Sequence, residues 1–287
     1  MIAMLPRLAG ALAAGIVALF LSPAWAQEAQ QPLTFPIKVP EQERWSFAGP
    51  FGRFDTAQLQ RGFQVYKEVC ANCHSMNLVA FRNLADPFGP AFTTDQVKSL
   101  AATYKINDGP NDAGDMFERP GRPSDRLPAP FPNVQAAASA NNGAAPPDLS
   151  LMAKARAAER GPIWTVLDFL SQYQEAGPDY IHALLTGFQD PPTGLKIPDG
   201  THYNPYFLNA ASLSMPPPLS AGQVAYTDGT PTTVDQYARD VSAFLMWTAE
   251  PHLVERKRLG FQVFVFLLVF TGTMYLTKKR VWAKIPH

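Results

Sequence analysis

The sequence predicts a mainly α-helical protein in which a modest set of helices is joined by long irregular connections, with one further helix near the C-terminus crossing a membrane. Three observations carry this. Proline supplies 28 of 287 residues, far above ordinary usage, and proline is excluded from helix interiors. Apolar residues recur at helical spacing in two widely separated stretches, around Leu59 and around Phe244. The run Leu259 to Leu276 holds 18 residues without a formal charge, which at about 1.5 Å per residue nearly covers a hydrocarbon core of about 30 Å.

The chain begins with one positive charge at Arg7, an apolar run from Leu8 to Leu21 and the stretch Ser22-Pro23-Ala24-Trp25-Ala26. A charged start, a short apolar core and an A-x-A end predict a secretory signal over residues 1–26, cleaved after Ala26. A retained anchor is the alternative, for which the run is short. An exported domain then occupies residues 27–254, a membrane anchor residues 255–280 and a tail residues 281–287. The anchor is bracketed by Glu255-Arg256-Lys257-Arg258 and by Lys278-Lys279-Arg280. Both flanks being basic, the positive-inside rule leaves its direction open; export through the signal places the tail in the cytoplasm and the domain on the periplasmic side of the inner membrane.

Formal charge over the whole chain is zero, with Lys+Arg and Asp+Glu both at 24, which gives no sign of a nucleic-acid partner. The exported stretch differs. It carries 16 Lys+Arg against 23 Asp+Glu, a net −7, and that field favours a basic soluble partner by steering encounter. Asp108, Asp112, Asp115 and Glu118 cluster in one short segment, read as a solvated loop.

The first helix is expected from Thr56 with Asp55 as its cap, Leu59, Phe63, Tyr66 and Cys70 recurring along one face. Gly62, four residues before Tyr66, leaves a shallow place where a second helix can come close. That second helix is expected over Val234–Ala249, capped by Thr232 or Thr233, with Val234, Tyr237, Val241, Phe244, Leu245 and Thr248 on one face and Pro251 as its stop.

The chemistry is concentrated in Val69-Cys70-Ala71-Asn72-Cys73-His74. C-x-x-C-H is the attachment signature of c-type haem: two thiols add to the haem vinyl groups from one side of a turn, and the next residue offers its imidazole to the iron. A thioredoxin-like pair wants a βαβ context, a zinc site wants four ligands, and a disulfide framework wants more cysteines than the two present. One covalent haem c, through Cys70 and Cys73 with His74 on the iron, is the expectation. A haem-bearing early helix crossing a late aromatic helix resembles the class I cytochrome c fold, here with long loop insertions.

An electron carrier keeps its iron six-coordinate, and methionine opposite histidine does this while raising the potential. Of the methionines after the signal, Met76 is tethered beside His74, Met274 lies in the span, Met246 lies among core-facing neighbours, and Met116 and Met152 suit packing roles. Met215 stands on Ser214-Met215-Pro216-Pro217-Pro218, where prolines stiffen the loop that presents it. His182, His202 and His252 are the other candidates.

The sequence also resembles the cytochrome c1 family, the haem subunits of the ubiquinol–cytochrome c reductases (bc1 complexes), from about Phe47 to Trp282. The resemblance rests on Arg61-Gly-Phe-Gln-Val-Tyr66 leading into the Cys70–His74 motif, on Asn107-Asp-Gly-Pro-Asn111 with Met116-Phe-Glu-Arg-Pro-Gly121, and on Ala140-Asn-Asn-Gly-Ala-Ala-Pro-Pro-Asp-Leu-Ser150. It continues through Pro191-Pro-Thr-Gly194, Tyr203-Asn-Pro-Tyr-Phe207, Met215-Pro-Pro-Pro-Leu219, Tyr226-Thr-Asp-Gly-Thr-Pro231 and Ala249-Glu-Pro251. It implies Cys70, Cys73, His74 and Met215 as haem ligands, with Asn141, Pro146 and Pro147 lining the haem. It further implies a one-electron relay from a Rieske iron–sulfur subunit to cytochrome c, packing of the anchor beside cytochrome b, and a dimeric complex that is the enzyme as a whole. Family members often carry an arginine facing a propionate where Ala138 stands here. A free-standing membrane-anchored shuttle and a haem sensor with an open sixth position are the competing readings. The offset of 141 positions from His74 to Met215 exceeds what a small shuttle needs.

Overall fold

The computed structural model describes residues 37–158, 161–171 and 173–283; the expected signal at residues 1–26 and residues 284–287 of the tail lie outside them. The described residues are mainly helical: α1 Thr56–Glu68, α2 Thr94–Ala102, α3 Val134–Ala140, α4 Met152–Ala155, α5 Pro162–Ser171, α6 Ala176–Thr186, α7 Val234–Ala249 and α8 Leu253–Trp282. Two short antiparallel ladders accompany them, β1 Lys105–Asp108 with β2 Phe117–Pro120 and β3 His202–Tyr203 with β4 Ser212–Leu213.

Both expected helices form: α7 has the expected bounds, while α1 starts at Thr56 as expected and ends at Glu68, leaving Cys70 in the 3-10 turn that follows. Asp55 accepts from the Gln58 amide at 3.0 Å to start α1, and Thr233 accepts from the Gln236 amide at 3.2 Å to start α7. The two helices cross with Gly62 against α7: a Cβ built there would lie 2.1 Å from the Asp240 carbonyl oxygen and 2.6 Å from the Phe244 Cβ. Only a hydrogen fits. Beside this contact Arg61 donates to both oxygens of the fully buried Asp240, at 2.9 and 3.2 Å, and its third nitrogen reaches Asp228 at 2.8 Å. Gln236 donates to the same carboxylate at 2.9 Å, so the buried charge is well satisfied. Around the crossing Phe63, Tyr66, Phe244 and Trp247 form a chain of rings with centroids 5.6–6.0 Å apart.

The second half of the domain packs on α7. Asp179 of α6 accepts from the Glu43 amide at 3.0 Å and the Trp45 indole at 2.7 Å, and from the Tyr173 hydroxyl, which ties residues 43–47 to the helical core. Met76 and Met246 are fully buried fillers of that core.

The acidic segment is an exposed loop, as expected, at residues 109–116, closed by two short paired strands that hold Asp108 and Glu118. Lys105 pairs with Pro120 and Asp108 with Phe117 across β1 and β2. Two of its acids face cations, Asp108 on Arg119 and Glu118 on Lys105 at 3.3 Å. Asp112 and Asp115 stand exposed near the tip.

The apolar helix α8 is 30 residues long, enough to cross a membrane by length and composition. It begins three residues after α7 ends and is braced at its root. Arg256 reaches Glu250 at 2.6 Å and Gln174 at 2.9 Å, while Lys257 donates to the Phe47 and Gly49 carbonyls at 2.6 and 2.5 Å. Glu250 is held in turn by Lys154 at 2.6 Å.

Gly62→Val is expected to force α1 away from α7 and to lower the stability of the full chain by about 2 kcal/mol, read by denaturant titration. A second expectation concerns pH. A hydrogen bond from Arg119 holds the Asp125 carboxyl at about 2, below its ordinary 3.8. Its folded value being the lower one, the stabilisation is complete above about 3.8 and is lost as pH falls through about 2. Carbon-detected titration of Asp125 gives that midpoint, and Arg119→Ala returns it to the ordinary range.

Candidate haem site

Helix α1 ends by turning the C-x-x-C-H residues into a tight 3-10 loop. The Val69 amide still donates to Val65 at 3.0 Å; the Cys73 and His74 amides then both donate to the Cys70 carbonyl, at 3.1 and 2.9 Å. The Asn72 side chain closes the turn on the Glu68 and Val69 carbonyls, each at 3.2 Å, covering acceptors that a helix end leaves open. Cys70 is half-buried against the core and Cys73 is exposed. Burial, with the neighbouring Cys73 thiol, pushes the Cys70 thiol up to about 12. It is therefore a protonated thiol at neutral pH, unlike the activated thiolate of a redox-exchange pair.

The decisive geometry is at His74. Its Nδ1 lies 2.8 Å from the Pro147 carbonyl oxygen, which can only accept, so Nδ1 carries the proton. Burial lowers the imidazole's pKa against the opposing influence of Pro147 and Asp148, which favours the neutral ring. A neutral imidazole protonated on Nδ1 has its Nε2 lone pair available, the arrangement of a metal-ligating histidine oriented by a backbone carbonyl. These residues fit a c-type haem. They do not fit a bare metal: among the described residues no group of three or more His, Cys, Asp or Glu converges.

The Pro147 carbonyl is held by the segment that follows it. Asp148 accepts from the Ser75 hydroxyl at 2.8 Å, the Asn77 amide at 2.7 Å and the Ser150 amide at 2.8 Å. Burial opposes the Asp148 charge, but the bonds from Ser150, Asn77 and Ser75 prevail and hold the carboxyl below its ordinary range. The Leu149 amide donates to the Ser75 carbonyl at 2.9 Å and the Leu78 amide to the Ser150 hydroxyl at 3.0 Å. Residues 147–150 and 74–78 thus form one strapped unit.

The other expected residues lie on separate segments. Asn141 caps the end of α3, its side chain donating to the Ala137 carbonyl at 2.8 Å, and Asn142 follows with a positive φ of 53°. Pro146 is half-buried beside the exposed Pro147. Met215 is half-buried just after β4, between a strand paired to His202–Tyr203 and the buried Leu219. Two of the three competing histidines have other partners: His182 lies 3.0 Å from Asp235 and 3.6 Å from Glu43, and His252 lies 2.5 Å from Glu255; His202 lies in β3. Sequence reasoning missed Asp148, Ser75 and Ser150; the signal was the Asp148-Leu149-Ser150 pattern, a side-chain turn of the Asx type.

A helical domain with a C-x-x-C-H turn and an apolar helix long enough to cross a membrane fits the class of c-type cytochromes. The chain matches the Cytochrome C1 family over residues 45–285. Cytochrome c1 of Blastochloris viridis is 49% identical over 86% of this chain and 88% of its own length, and cytochrome c1 of Rhodospirillum rubrum is 44% identical over 85% and 87%. The "cytochrome b/c1" of Bradyrhizobium diazoefficiens is 62% identical over 85% of this chain, which spans 36% of that longer relative. The chain belongs to the cytochrome c1 family, and with it to the haem proteins of electron transport.

Asp148→Ala is expected to remove three hydrogen bonds at once and to destabilise the domain by about 3 kcal/mol. Amide exchange at Leu149, whose bond to Ser75 closes the strap, is expected to accelerate while α7 amides keep their relative protection.

Proposed function

We propose that this chain is the one-electron carrier subunit of a ubiquinol–cytochrome c reductase, relaying electrons from the Rieske iron–sulfur subunit to cytochrome c. The bond between His74 Nδ1 and the Pro147 carbonyl carries the reading, because it readies one imidazole nitrogen for iron in a chain of this family. When bound, haem c supplies the Fe(III)/Fe(II) couple. The residues would supply the rest: Cys70 and Cys73 would hold one haem by thioether bonds, His74 would offer Nε2 and Met215 its sulfur to the iron, and Asn141, Pro146 and Pro147 would line the ring. This chain performs no bond-making step of its own; catalysis belongs to the complex.

The anchor α8 packs beside cytochrome b in a complex that is dimeric. The name of the Bradyrhizobium relative, which joins b and c1, supports that neighbour. After loss of residues 1–26 the domain stands on the periplasmic face of the inner membrane, single-pass, with its tail in the cytoplasm. Its net −7 suits a basic cytochrome c, and the hairpin narrows the docking acids from four to Asp112 and Asp115, since Asp108 and Glu118 already face cations.

Met215→Leu is expected to keep the haem attached, lower the reduction potential and open the iron to carbon monoxide. Survival of the weak thioether-to-iron absorption band in that variant rejects Met215 as ligand. Haem that stays covalent in Cys70→Ser with Cys73→Ser rejects the attachment sites. Cutting the chain after Arg258, which spares the contacts of Arg256 and Lys257, is expected to release a soluble haem-bearing domain and to abolish quinol-to-cytochrome c turnover in membranes. Turnover that persists after the cut favours a free-standing shuttle.

A further inference from the structure

Helix α5 is out of keeping with a water-facing surface. Its sequence, Pro-Ile-Trp-Thr-Val-Leu-Asp-Phe-Leu-Ser, carries one formal charge, at Asp168. Ile163, Val166 and Leu167 follow helical spacing of three and four, which places them on one face, and they are 74%, 61% and 45% exposed. Trp164 beside them is 49% exposed. An apolar stripe of this kind on a soluble domain is costly in water and marks a contact surface.

What covers it is indicated by what it adjoins. The Tyr173 amide donates to the Asp168 carbonyl at 2.9 Å, closing the last turn of α5, and the next residue, Gln174, accepts from Arg256 at 2.9 Å. Arg256 lies three residues, about 4.5 Å along a helix, before Leu259, where the uncharged run of α8 begins. On another side of the same root, Phe51, 70% exposed, meets Phe261 of the run edge-on at 5.4 Å. Lys257 fixes that loop through the Phe47 and Gly49 carbonyls. Two apolar projections of the domain are therefore tied to the first turns of the span, at the depth where the hydrocarbon begins.

We propose that α5, together with Phe51, seats in the interfacial zone of the lipid bilayer, giving the domain a second membrane contact beside its anchor. The chemistry suits that zone. A short helix with an apolar face lies in the plane of the headgroups, tryptophan is favoured at that depth, and the exposed Arg258, two residues after Arg256 at the start of the span, attracts anionic phosphates. The inference rests on α8 spanning a membrane, and the experiment reads the two claims separately.

The test uses the full haem-loaded chain in vesicles of phosphatidylcholine with a minor share of phosphatidylglycerol. Single cysteines at Ile163→Cys, Val166→Cys, Phe266→Cys and Val134→Cys carry a nitroxide, and its accessibility to oxygen and to a soluble nickel chelate is measured. Phe266 reports the span, and Val134, 67% exposed on α3, reports water. The expected result is an inversion: labels at residues 163 and 166 favour oxygen, as at 266, while the label at 134 favours the chelate. Labels at 163 and 166 that match 134 while 266 reads lipid overturn the seating and leave the anchor standing. Labels shielded from both reagents mean that protein covers the face, and this also overturns it. An aqueous signal at 266 overturns the anchor and the seating together.

Discussion

Where α1 meets α7, a single hydrogen atom at Gly62 stands between the Asp240 carbonyl and the backbone of the first helix. This close approach lets Arg61 reach a carboxylate that has no contact with water, and lets Phe63 and Tyr66 lie against Phe244. Burying Asp240 would be strongly unfavourable without the three hydrogen bonds it accepts. Glycine, ion pair and ring cluster are thus one constraint, and each requires the others. Because α1 runs straight into the Cys70–His74 turn, the same constraint fixes where that turn is presented.

Downstream of the crossing the domain holds its histidine from behind. Pro147 has no amide hydrogen to compete for neighbours, and its carbonyl is turned to His74 by an aspartate bonded on both sides of the contact. A carboxylate at the His74 nitrogen would push electron density onto the imidazole more strongly than a carbonyl does. A neutral carbonyl orients the ring with a milder influence, which fits the proposed role of His74 in a carrier paired with a methionine thioether.

The parts that were legible in the sequence are those governed by local chemistry. Asp55 and Thr233 set helix starts through their own side chains, and the spacing from Leu59 to Tyr66 revealed the buried face. Gly62 was legible as a close-approach point because few other roles suit a glycine inside an apolar helix face. The hairpin was not legible: its pairing of Lys105 with Pro120 joins residues with weak strand preference, and acids at both ends mask the alternation. The role of Pro147 was hidden for a different reason. A backbone carbonyl leaves no mark on residue type, and only the strap of Asp148 signals it. Arg119 was also missed as the cation of the hairpin, since its partners at 108 and 125 flank it at irregular intervals.

The joint between α7 and α8 has a mechanical consequence. Three residues, Glu250 to His252, connect the two helices; Lys154 of α4 holds Glu250, while Arg256 and Lys257 of α8 reach Gln174 and the Phe47 carbonyl. A joint so short and so braced transmits torque. Whatever tilt α8 adopts in a bilayer is passed on as a rotation of the whole head, and the C-x-x-C-H turn moves with it. Bilayer thickness, which sets helix tilt, thereby sets the height and heading of the turn above the lipid.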